Sequence, residues 1–364
     1  MGTGLDFRPC PDSNREKQDV EPLDFPLQGQ RRFAAWLRSG AGWPRIYRAQ
    51  AVNYSIVVPI YGDGGLADDL CVEIQRVMRA FAGREDLASI LELIFVNDGS
   101  PDNSLELLLA LQAKFDFVRI IDLSRNFGQH IAIACGFREA TGDVVIRMNV
   151  DMQDHPDQIP TLLEHMAAAK ADIVIGQYDQ RESPLINRMT ARLYYSFFRI
   201  MTGLDSPQNT SPLRVLSRRY VNAYNSLTEK TRFPQGLDQW LGFSPRYTRI
   251  AHRQRLKGRS SYNFWSRLRL GLDGLLYFSE RPLILMMSLG LLLSAFGTIM
   301  GLLLVVMRLF LTNIEPGFTS LAAIGLFAFG VQLICLGVVG FYVGKIFKEV
   351  QNRPLYIIKD RFWR

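Results

Sequence analysis

The chain has 364 residues, a formal net charge of +7 and a hydrophobic share of 48%. That length suits one large catalytic domain with an appendage, or two medium domains. The positive balance suits an anionic partner, nucleotide or lipid headgroup, and no basic run interleaved with aromatics resembles a nucleic-acid module. Cys10, Cys71, Cys135 and Cys335 are scattered and form no Cys-x-x-Cys pair, which argues against zinc and dithiol motifs and for a reducing setting.

Residues 1–52 read as a poorly ordered arm without the apolar core of a signal peptide. Its second half, "RRFAAWLRSGAGWPRIYR" (31–48), suits either a basic amphipathic segment at a membrane surface or a solvated arm. Short β-branched runs then alternate with helical patterns. They are "YSIVVPIY" (54–61), "LADDLCVEIQRVMRAF" (66–81), "ELIFVND" (92–98), "SPDNSLELLLALQAKF" (100–115), "VRIIDLS" (118–124), "HIAIACGFREAT" (130–141) and "DVVIRMNV" (143–150). The helix after the second strand is expected to start with a capping Ser100 and Pro101 in its first turn. The series predicts an α/β domain over 53–260, a mostly parallel sheet with helices on both faces. Ligands bind such sheets at the C-terminal strand ends. Those ends carry Tyr61, Asp63, Asn97, Asp98, Arg125, Asn126 and Asp151.

"GDGGLA" (62–67) fits a dinucleotide fingerprint, since it follows a strand and opens a helix. Pro59 and Tyr61 crowd the strand just before it, and no acid ends the second strand at the spacing that fingerprint needs. The preferred reading is a wall for a nucleotide base made by Pro59, Tyr61 and Asp63. "RMNVDMQDHP" (147–156) places Asp151 and Asp154 around Gln153 after an apolar strand. Asn149 stands where an Asp-x-Asp pair would have its first acid.

Residues 262–281, aromatic and leucine-rich with basic punctuation, suit an interfacial helix. Two apolar runs follow, 282–311 and 318–344, each longer than the ~20 residues needed to cross a bilayer. Arg267, Arg269 and Arg281 precede them, and Lys345, Lys348, Arg353, Lys359, Arg361 and Arg364 follow, while the connecting turn holds Glu315 and no Lys or Arg. The positive-inside rule then puts both ends in the cytoplasm. Residues 345–364 read as a basic cytosolic tail.

"SIVVPIYGD", "LIFVNDGSPDNSLELL", "RIIDLSRNFGQHIAIACGFREATGD" and "VDMQDHPDQIP" resemble the successive motifs of inverting family 2 glycosyltransferases with the A-type fold. The branch most resembled is that of the polyprenyl-phosphate glycosyltransferases, including dolichol-phosphate mannose synthases and undecaprenyl-phosphate glucosyltransferases. Its R-F, G-L and W-x-G elements are matched by Arg232-Phe233, Gly236-Leu237 and Trp240-Leu241-Gly242, and the resemblance spans 54–355. Departures fall near the donor: Asp63 for a Glu, Asn97 and Asn149 each for an Asp, Pro212 for an Asp before Arg214, and Ser261 for a Lys after Arg259.

The resemblance implies a nucleotide-diphosphate sugar donor, bound by Pro59, Tyr61, Asp63, Asn97, Asp98, Arg125, Asn126 and Asn149. It implies Mg²⁺ or Mn²⁺ at Asp151 and Gln153, with Asp151 and Arg214 as catalytic residues. It further implies a polyprenyl phosphate acceptor held by Arg214, Arg232 and Arg259, a bacterial inner-membrane location and a homo-oligomer, tetrameric in the family. The chemistry agrees: a leaving diphosphate needs positive charge, and one or two carboxylates suffice for Mg²⁺. A lipid monophosphate is already anionic and needs cations more than a base. Arg253, Arg255 and Lys257 read instead as contacts to anionic headgroups. Two alternatives stay open. One is a synthase with a saccharide acceptor, for which "DQWLG" (238–242) offers Asp238 as base. The other is a non-catalytic, membrane-anchored nucleotide-sugar binder.

Overall fold

The structure is a computed structural model that describes residues 52–178, 199, 209–230, 232, 234–251, 281–310 and 317–363. Most of the N-terminal arm, the interfacial helix and the basic run with Arg253, Arg255, Lys257 and Arg259 lie outside the described residues.

The β-branched runs form strands β1 (Tyr54–Ile60), β2 (Leu91–Asn97), β3 (Val118–Leu123), β4 (Val144–Arg147) and β5 (Ile173–Tyr178). The helical patterns between them form α1 (Ala67–Ala82), α2 (Ser104–Gln112), α3 (Gln129–Glu139) and α4 (Ile159–Ala169). Beyond them come β6 (Thr210–Ser217), α5 (Arg218–Ser226), α6 (Pro234–Trp240) and β7 (Arg246–Ile250). The strands, with β8 (Ile358–Phe362), form one eight-stranded sheet in the order β7-β5-β6-β4-β1-β2-β3-β8.

The sheet is mostly parallel, as expected. β6 runs antiparallel between β4 and β5, and β8 (Ile358–Phe362) runs antiparallel along β3. Side chains alternate across a strand. In β1, Ile56, Val58 and Ile60 therefore enter one hydrophobic core with α1, α2 and α4. Val57 points the other way, into a second core with α3, α5 and α6.

Two expectations are corrected here. α2 starts at Ser104, not Ser100, because the Ser100 hydroxyl is bonded to Asn97 Oδ1 at 2.6 Å. The last residues are not a separate tail. β8 closes the sheet edge, with Gln112 Nε2 donating to Phe362 O at 2.7 Å and Arg361 paired to Glu139 at 3.0 Å. Its charged residues face solvent, so the basic composition that reads as a tail is also that of a protected edge strand.

The two apolar runs are single helices, α7 (Arg281–Phe310) and α8 (Phe318–Val350). Each is long and apolar enough to cross a membrane, and large side chains such as Leu291 and Leu336 are exposed along them.

Candidate active site

The C-terminal ends of β1–β4 converge on one set of loops. Just past β1 comes Tyr61, which is 53% exposed, and Asp63 two residues on is also exposed, while Pro59 is buried within the strand. Close packing explains Gly64, the second of the glycines that follow. Gly64 N donates to Ser104 Oγ at 3.1 Å, and a Cβ on Gly64 would stand 2.6 Å from Ser104 Cα. That glycine serves packing against α2, so the dinucleotide-fingerprint reading has no support from it.

At the end of β2, Asn97 and Asp98 are both buried. The Asn97 amide donates to Asp122 at 2.7 Å, and its oxygen accepts from Ser100. Asp98 accepts backbone N–H bonds from Phe127 at 2.7 Å and Gly128 at 2.8 Å. Burial pushes the Asp98 carboxyl above its ordinary value, against these two donors and Arg125. Expected as donor contacts, both residues instead have their polar groups engaged in holding loops. The loop they hold presents Arg125 and Asn126, both exposed, with the guanidinium stacked 4.1 Å from the Phe127 ring. Gly99 completes the junction: its φ is +62°, and a Cβ there would lie 2.4 Å from Arg125 C. Only glycine meets both demands.

β4 leads into the metal-candidate turn. Met152 has φ 56°, and Asp151 Oδ1 accepts from Gln153 N at 3.3 Å. The left-handed residue sets Asp151 and Gln153 on one tight turn, two oxygen-bearing side chains two residues apart. Such a donor set fits a hard divalent cation. Asn149 Oδ1 accepts from Gln129 Nε2 at 3.0 Å, which ties this turn to the start of α3.

The arginines expected to hold an acceptor phosphate are placed differently. Arg214, 5% exposed, is ion-paired with Asp238, which also accepts from the Tyr220 hydroxyl. Arg232 is buried, donates to Leu227 O at 2.6 Å and lies over the Tyr224 ring. Both cations are thus taken up by α5, α6 and the turn between them. Sequence reasoning missed Arg147, the last residue of β4, which lies in register with Arg214 and is 7% exposed. The signal was a lone arginine in an otherwise apolar strand.

Glu73, His155 and Asp157 bring ligand atoms within 4.8 Å of one another. Arg76 donates to Glu73 at 2.7 Å and to Asp157 at 2.6 Å, so its guanidinium already supplies the positive charge. This is an ion network joining α1 to the turn before α4.

The glycosyl transferase family 2 model matches residues 55–224. An uncharacterized glycosyltransferase of Synechocystis sp. is 32% identical over 309 residues, covering 85% of this chain and 95% of that one. A prophage-derived bactoprenol glucosyl transferase of Shigella flexneri is 32% identical over 309 residues, covering 85% and 98%. Among solved structures, glucosyl-3-phosphoglycerate synthase from Mycobacterium tuberculosis in complex with Mn²⁺, UDP and glucosyl-3-phosphoglycerate gives a TM-score of 0.49 at 17% identity, covering 66% of this chain and 85% of that one. On the strength of the near full-length relatives, the chain belongs to the family 2 glycosyltransferases and is a transferase enzyme.

Proposed function

We propose that the enzyme transfers a hexose from a nucleotide-diphosphate sugar to a polyprenyl phosphate, with inversion at C1. A phosphate oxygen of the lipid bonds to C1 as the C1–oxygen bond to the nucleoside diphosphate breaks. The observation that carries this reading is the matched relative named a bactoprenol glucosyl transferase, 98% of which this chain covers. The two long apolar helices support it, since a lipid acceptor lies at a membrane.

The donor base rests against Pro59, Tyr61 and Asp63, with Arg125, Asn126 and Asn149 along the sugar-diphosphate. Asn97 and Asp98 shape the loops from behind. Asp151 and Gln153 hold Mg²⁺ or Mn²⁺, which when bound supplies positive charge against the leaving diphosphate. A phosphate nucleophile needs no general base. Asp238, the base that a saccharide acceptor would require, is buried against Arg214 and Tyr220. With Arg214 and Arg232 taken up inside the domain, holding the acceptor phosphate falls to Arg259. The enzyme works on the cytoplasmic face of a bacterial inner membrane with both termini inside, as a homo-oligomer.

The test is a panel of nucleotide sugars incubated with undecaprenyl phosphate and Mg²⁺ or Mn²⁺. One donor of the panel should yield a lipid-linked hexose with inverted anomeric configuration. Transfer only to a saccharide, or retention at C1, contradicts the reading.

A further inference from the structure

Between β4, β6, α3, α5 and α6 lies a cavity of about 10 Å³ lined by His130, Arg147, Arg214, Tyr220, Tyr224 and Asp238, among others. Nε of Arg147, Nε of Arg214 and Nδ1 of His130 are all buried with no hydrogen-bond partner. Arg214 has Asp238 as its counter-charge, whereas Arg147 forms no ion pair among the described residues. Asp238 and Asp154 act on Arg147 only at longer range, and neither outweighs burial and the Arg214 charge, which together lower its pKa to about 10. At that value it is still a cation at neutral pH. Burial and the two arginines hold His130 at about 3, so it adds no charge. The lining therefore carries two guanidinium charges against one carboxylate, and a buried unpaired cation is strongly destabilising.

Charge and size select the missing partner together. One negative charge is lacking. The cavity has room for about one water-sized occupant. A phosphate group overshoots on both counts, while a monatomic halide carries the single charge and is much the smaller anion.

We propose that this cavity is a binding site for one small monovalent anion, chloride being the type, held by Arg147 and Arg214 with His130 as a third donor. His130 serves as the tautomer with its proton on Nδ1. The anion locks the end of β4 to β6 and to the start of α3, four residues before Asp151 in the chain. It supports the active-site loops without touching substrate, and the inference stands whichever sugar or acceptor the enzyme uses.

The experiment uses the full chain in detergent, melted in sodium chloride and in sodium gluconate at equal ionic strength. At a chloride concentration of roughly ten times its Kd, the melting temperature should rise by about 3–6 °C over gluconate. Bromide should replace chloride, and crystals grown in bromide should give an anomalous peak within hydrogen-bond distance of the Arg147 guanidinium. Arg147→Met should remove the chloride response and Arg147→Lys should keep part of it. Equal melting in both salts, or an undiminished response in Arg147→Met, overturns the proposal in favour of a water. If Arg147→Met does not fold, the bromide map of the unaltered protein decides, and an empty cavity overturns it. Chloride acting instead as a competitor of undecaprenyl phosphate, with Arg147→Lys raising only the lipid KM, also overturns it and makes the cavity an acceptor subsite.

Discussion

The two ends of the central sheet treat buried polar groups in opposite ways. At the N-terminal strand ends, Glu92 accepts from the Ser55 hydroxyl at 2.5 Å, from Thr141 N at 2.5 Å and from the Arg119 guanidinium. Ser55 in turn accepts from Gly142 N at 2.7 Å, and Arg218 closes the set onto the carbonyls of Ala140 and Gly142. At the C-terminal ends Asn97 and Asp98 are bonded, but one buried nitrogen each of His130, Arg147 and Arg214 has no partner, and Asp151 and Gln153 sit on a left-handed turn. Saturated hydrogen bonding at one end serves stability. Unsaturated groups at the other mark where ligands supply what the protein does not. The contrast separates residues whose loss should lower melting temperature from residues whose loss should lower turnover.

The largest effect expected breaks this division at its boundary. Arg214→Ala leaves Asp238 buried without its cation, which should cost about 3–5 kcal/mol of stability. A melting curve tests this: an alanine variant that melts like the parent would mean that Asp238 does not depend on Arg214 for its counter-charge. Asp151→Asn should do the reverse, with turnover falling about 10²–10³-fold and melting unchanged. Glu92→Gln, at the saturated end, should cost about 2–3 kcal/mol while kcat/KM stays within twofold, because it weakens charge-assisted bonds far from the donor loops. Melting and kinetics on one preparation check both halves.

Gln129→Ala sharpens the picture within the catalytic end. Losing its bond to Asn149 should lower kcat/KM by roughly two- to tenfold, the worth of one hydrogen bond. Asn149→Asp should stay close to the parent, since a carboxylate still accepts from Gln129. The smallest effect is at Asp157. Burial opposes its ionisation, but His155 and Arg76 outweigh that and hold its carboxyl below the ordinary range. Its contribution is then complete above pH ~4 and fades as pH falls through the folded value. The melting gap between the parent and Asp157→Asn should be open above that pH and close as pH falls below it.

Much of this architecture was legible because it follows from periodicity. Alternating Ile56, Val57 and Val58 state that β1 is buried on both faces, and strand ends in such folds are where Asp98, Arg125 and Asp151 converge. What was not legible depended on partners distant in sequence. Asn97 reads as a ligand contact until Asp122, 25 residues on, takes its amide. Arg214 keeps its family position but is paired with Asp238, which the motif does not anticipate. β8 reads as a tail because nothing local says that an exposed charged pentapeptide will find the edge of β3. Arg147 could have been flagged from its setting, though its lack of an ion pair among the described residues is visible only in three dimensions.

The most direct test of the central claim follows one labelled sugar. The parent enzyme and Asp151→Asn are incubated with the effective nucleotide sugar, undecaprenyl phosphate and Mg²⁺, and lipid-extractable label is counted over time. The account predicts a lipid-linked hexose from the parent, and a rate about 10²–10³-fold lower from Asp151→Asn at an unchanged melting temperature. Equal rates from the two proteins, or label that never enters the lipid phase, would contradict it.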